Sequence, residues 1–231
     1  MPTATGVRAG FLIRVMPAND DRQVSIGRFG PDFDKVNDWL RTYISQPAAD
    51  LGRDGPICPF VPPALKANAI QFTFRYDVDA GTEAGIRDVL HAEMADFDTV
   101  AEPVGGSGSS LESRIVVLPL ADHRGWQRID SAYESLKNTA VANGLMLGQF
   151  HPDCDERAVR NPAFPVSRSP LALFAMRRMA PHDVLFLHDR PDWFAAYHNR
   201  FRSHFERGRI RDAMMISLYH KAIQESEHND R

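Results

Sequence analysis

The chain carries two cysteines in 231 residues, Cys58 and Cys154. Two thiols cannot staple a chain of this length, which excludes a disulfide framework and suits a reducing compartment. A basic excess is also missing: 27 Lys and Arg against 30 Asp and Glu give a formal net charge of -3 and a pI near 6.3. A protein that grips nucleic acid through its phosphates carries a positive surplus or stripe, so nucleic acid is set aside as a partner and a small molecule is expected. Long apolar runs are lacking too. The earliest, residues 10–13, is broken by Arg14 and is too short for a signal-peptide core. No segment approaches the roughly 20 apolar residues that span a bilayer. The expected location is the cytoplasm, with no membrane contact. Paired ligand signatures such as Cys-x-x-Cys or His-x-x-x-His do not occur, and no internal repeat is evident.

What is present suffices for one substantial core, with 43% hydrophobic residues and 10% aromatics. Residues 1–30 mix Pro, Gly, Asn, Asp and Arg without periodicity and read as an N-terminal arm. Residues 31–231 read as a single α+β domain with a helical extension from about residue 191. Phe33, Val36, Trp39, Leu40, Tyr43 and Ile44 recur at helical spacing, with Asp32 as the expected N-cap. Residues 52–65 hold four prolines and two glycines and predict an ordered loop. Residues 70–76 predict a strand, and a helix capped by Thr82 follows it. Residues 105–110, GGSGSS, predict a linker rather than a phosphate loop, because a strand follows instead of a helix. A strand over 114–120, a helix over 125–143 and strands over 145–150, 172–176 and 184–187 complete the middle. Two amphipathic helices, 192–207 and 210–225, close the chain. This order predicts a mixed or antiparallel sheet with helices packed mainly on one face, rather than a doubly wound dinucleotide fold.

Chemistry concentrates in residues 144–179. His151 ends a strand before Pro152, which restricts its backbone. Its imidazole can ligate iron or zinc, act as acid or base, or simply close a turn through a hydrogen bond. The following Asp153, Cys154, Asp155 and Glu156 are zinc-compatible or solvated groups. Cys58 precedes Pro59 in a pinned loop and is either a soft axial ligand to haem iron or a small apolar packing residue. Arg168, Arg177 and Arg178 suit carboxylate or propionate anchoring, and each also suits a solvated surface. Phe194, Tyr197, His198, Phe201 and Phe205 share one helix face, which makes His198 a core histidine or a further ligand.

Trp39, GPICPF at 55–60, QFHP at 149–152 and NPAFPVSRSP at 161–170 together resemble two bacterial groups. One is an uncharacterised family with the same succession of CPF, FHP and RSP segments from Trp39 to about Met179. The other, more remote, is the YqcI/YcgG-like family, which includes haem-dependent N-oxygenases of guanidino groups. The resemblance implies a shared pocket of Cys58, Pro59, Phe60, His151, Pro152, Arg168, Ser169 and Pro170, with His151 as haem ligand. After Pro170 this chain has Leu171, Ala172 and Leu173, where the remote group carries a histidine and basic residues.

The expectation is therefore a haem-dependent monooxygenase, an oxidoreductase of specialised metabolism acting on an amino or guanidino nitrogen. His151 would bind the iron, with His198 or Cys58 as alternative ligands. Arg177 or Arg178 would meet a propionate, and Phe60 and Phe164 would wall the pocket. The competing expectation is a non-catalytic module that binds a small ligand or partner and dimerises through Ile210, Met214 and Leu218.

Overall fold

The computed structural model describes residues 4–18, 22–78, 80–100 and 111–229. The expected linker at 105–110 lies outside them. The chain opens with a hairpin, β1 (Ala4–Arg8) and β2 (Phe11–Met16), so part of the expected arm forms sheet. Helix α1 (Arg22–Trp39) continues into a π turn, Leu40–Ile44. A short α2 (Val61–Lys66) then leads into β3 (Ile70–Arg75), α3 (Glu83–Val100) and β4 (Ser113–Val117). Next come α4 (His123–Ala142), β5 (Leu145–Phe150) and a small hairpin of β6 (Arg157–Ala158) and β7 (Asn161–Pro165). The chain ends with β8 (Leu173–Arg178), α5 (Val184–Leu187), α6 (Pro191–Glu206) and α7 (Ala213–Asn229).

The main sheet has the order β1-β2-β3-β4-β8-β5. Pairs β2/β3 and β3/β4 are parallel, and the others are antiparallel. The fold is thus α+β on a mixed sheet with two C-terminal helices, as the element order predicts.

Strand alternation sorts side chains between two layers. Ile70, Phe72, Phe74, Ile115, Val117 and Leu173 join Phe33, Val36 and Trp39 of α1 on one face. Val116, Phe174, Met176, Leu145 and Leu147 meet α3 and α4 on the other. A third cluster joins Val141 and Met146 to Trp193, Phe194 and Tyr197 of α6 and Met215 and Tyr219 of α7.

Three local expectations are corrected. Asp32 is a buried residue inside α1, where it accepts the Tyr76 hydroxyl at 2.9 Å, and it caps nothing. Pro62 and Pro63 sit in the first turn of α2, where a missing N–H costs no helix bond, so part of the expected loop is helical. Residues 184–187 form the helical turn α5 rather than a strand, because a four-residue apolar run has no period that separates the two.

Candidate metal centre

Helix α4 begins at Asp122, whose carboxylate accepts the N–H groups of Arg124 at 3.0 Å and Gly125 at 3.1 Å. That start sets the helix phase and aligns Trp126, Asp130, Tyr133 and Lys137 in one stripe at i, i+4, i+7 and i+11. Tyr133 donates to the Leu147 carbonyl at 3.0 Å, which holds the stripe against β5. Just past β5, the His151 carbonyl accepts the N–H of Cys154 at 3.1 Å and of Ser169 at 3.3 Å. The FHP and RSP segments therefore brace one turn.

That turn buries His151, with 2% of the residue exposed. The imidazole lies against the Trp126 indole, ring centres 5.8 Å apart and planes 18° from parallel. Its Nε2 is 3.0 Å from Asp130 Oδ1, which also accepts Gln149 Nε2 at 3.3 Å. Its Nδ1 is buried without a hydrogen-bond partner. Cys154 is buried as well, with Sγ 3.9 Å from the Gln149 carbonyl. One ligand atom each from Asp130, His151 and Cys154 falls within 4.8 Å of the others. Burial pushes the Cys154 thiol pKa up, and the charges of Asp130 and Glu156 push the same way.

Asp130 is the residue that sequence reasoning missed. It sits 21 positions before His151 on a different element, and its half-exposed side chain gives it the look of a solvated helix residue. Its place four residues after Trp126 on one helix stripe was the available signal.

The remaining expected site residues go elsewhere. Arg177 pairs with Met146 across β5 and β8, whereas His151 lies five residues further, about 16 Å along the strand. The Arg177 guanidinium lies on the α1 face, 3.8 Å from the Phe60 ring centre, and is held by Asp183 at 2.6 and 2.8 Å. Cys58 sits in that same neighbourhood. Its N–H donates to the Ile44 carbonyl at 2.9 Å, and burial raises its thiol pKa against the opposing charge of Arg177. Arg178 reaches the α3 side, 6.0 Å from the Phe97 ring. Arg168 is exposed; its carbonyl accepts Trp39 Nε1 at 2.9 Å. His198 bonds the Tyr219 hydroxyl through Nδ1 at 2.9 Å, inside the third cluster. Cys58, Phe150 and Phe164 share the α1-face cluster, whereas the His151 imidazole turns to Trp126 and Asp130 of α4, so the residues expected in one pocket are divided between the two faces of the sheet.

A haem on His151 does not fit this arrangement. One imidazole face is covered by Trp126, Nε2 meets Asp130, and the residue is almost fully enclosed. Clefts of about 670 Å³ between α5, α6 and α7 and about 280 Å³ between α3 and α4 are lined by other residues.

A family model described as a domain of unknown function, DUF6875, matches residues 33–225. The chain belongs to this family. The DUF6875 span takes in the CPF, FHP and RSP segments, and the match makes no link to the YqcI/YcgG-like family. Comparison with curated proteins and with solved structures gives no match. Among the described residues, no helix of this DUF6875 protein is long and apolar enough to cross a membrane.

Proposed function

We propose that this DUF6875 protein binds a zinc-class divalent metal through Asp130, His151 and Cys154, and uses it on a small-molecule substrate. The carrying observation is the convergence of one ligand atom each from a carboxylate, a buried imidazole and a buried thiol within 4.8 Å of one another. Tetrahedral zinc sets N, O and S ligand atoms about 3.3–3.6 Å apart, so small side-chain shifts would complete the site. Three protein ligands leave a fourth position for water or substrate, the pattern of catalytic rather than structural zinc. The side chain of Asp130, 47% exposed, marks the solvent approach. The bound ion would act as a Lewis acid and lower the pKa of a bound water, which suits hydrolysis or hydration.

The same three residues also read as a nucleophile, base and orienting acid. The Cys154 environment opposes that reading, because burial and two nearby carboxylates raise the thiol pKa rather than lower it. Cobalt titration tests the metal. One equivalent of Co²⁺ is expected to give a thiolate charge-transfer band that Cys154→Ser abolishes and Asp130→Asn weakens by about 10-fold or more in affinity. No band, or a band unchanged in Cys154→Ser, overturns the proposal. Titration with hemin alongside keeps the N-oxygenase expectation testable: a Soret band lost in His151→Ala would restore it. Metal binding without turnover would favour the non-catalytic module.

A further inference from the structure

Lys137 is one of only four lysines in the chain, and it alone is buried, with 9% of the residue exposed. Lys35, Lys66 and Lys221 are all exposed. The Lys137 Nζ stands 4.5 Å from the Trp193 ring centre and 5.3 Å from that of Tyr133. It makes no hydrogen bond or ion pair among the described residues. Arg190 shares the same indole, with its guanidinium carbon 4.7 Å from the Trp193 ring centre, and pairs with Glu134 at 2.8 Å. Trp193 itself is fixed by Nε1 donating to Asn138 Oδ1 at 2.7 Å. An amine walled by aromatics beside a second cation is the environment that turns lysine into a nucleophile.

We infer that Lys137 is a carbonyl-reactive amine that forms an imine with a small 2-oxo acid, whose carboxylate would face Arg190. The Nζ lone pair attacks the carbonyl carbon and a C–N bond forms. The carbonyl oxygen then leaves as water with both amine protons, giving the imine. No oxidant or reductant is needed. Burial holds the Lys137 pKa below the usual lysine value. Arg190 adds to that lowering, while Glu156, Asp189 and Asp183 oppose it. The attraction of an ammonium to the two rings opposes it as well, but is worth only about 1–2 kcal/mol against a larger desolvation cost. This inference is independent of the metal site.

Glyoxylate with cyanoborohydride tests it, since reduction traps the imine as a carboxymethyl amine that peptide mapping assigns to each lysine. Near pH 7, Lys137 is expected to be modified several-fold faster than Lys35, Lys66 and Lys221, because its desolvated amine sits between two rings beside Arg190. The preference should vanish in urea, and Arg190→Gln should slow Lys137 alone. The four lysines are compared within one wild-type sample, so no variant needs to fold. Modification of Lys137 at or below the rate of the three exposed lysines overturns the inference, as does a preference that survives in urea.

Discussion

Single residues carry the least legible part of this molecule. Arg114 lies in β4, where the apolar pattern predicts an inner strand, yet it is 1% exposed and fully inside. It is tolerated because Nη1 meets Glu93 at 3.1 Å and Asp96 at 2.7 Å, while Nη2 meets Gln71 at 3.1 Å. Asp96 also binds Arg14 at 2.6 Å, and Glu93 also binds Arg75 at 3.1 Å, so the charges form a network across β2, β3, β4 and α3. Hydrogen bonds from Arg14 and Arg114 hold the Asp96 carboxyl below its ordinary value of 3.8. A carboxyl lowered on folding stabilises the fold fully above its ordinary value and loses that effect as pH falls through the lowered one. Asp96→Asn is therefore expected to cost about 1 kcal/mol at neutral pH, discounted because the side chain is 40% exposed. Urea melts of the two proteins should converge in acid. His151 belongs to the legible part: its position before Pro152 at a strand end placed it correctly, facing inward. Its partner Asp130 did not announce itself, because a charged helix residue looks alike whether it faces solvent or an imidazole.

Elements were more readable than their ends. Strands β3, β5 and β8 follow as short apolar runs buried on both faces, and helices α3, α4, α6 and α7 as repeats that bury one face. The start of α1 did not follow, because residues 1–30 show no periodicity and Asp32 read as the N-cap, whereas the helix begins at Arg22 and runs through Pro31. A proline there removes a backbone donor and crowds the preceding turn, at a cost of up to about 3 kcal/mol. Its side chain is exposed, so little packing is at stake. Pro31→Ala is expected to raise stability by about 1 kcal/mol or more, read as a higher urea midpoint with an unchanged slope. The C-terminus of α4 illustrates the opposite case: Gly144 has a φ of +75°, and a Cβ there would come within 2.7 Å of Arg200 Nε. A stop at this position was visible in the sequence, although the arginine that α6 packs over it was not.

At the scale of the whole molecule, three apolar clusters share elements and so are expected to unfold together. Strand β5 gives Leu145 and Leu147 to one cluster and Met146 to another, and α4 gives Leu136 and Val141 likewise. Ile210 and Leu218, considered as dimer contacts, pack against the chain's own third cluster. The three tryptophans report on the clusters separately: Trp39 lies in the α1-face cluster, Trp126 packs against the α3/α4 cluster and Trp193 lies in the third. Variants retaining one tryptophan each are expected to share a single urea midpoint. A separate early transition from Trp193 would mean that the C-terminal helices fold as their own unit.

The flat stacking of Trp126 on His151 has an optical consequence. An imidazolium ring draws excited-state charge from a neighbouring indole and dims its emission, whereas a neutral ring does so far less. In a variant that keeps Trp126 alone, its fluorescence is thus a built-in gauge of the histidine beside it, legible without any added dye.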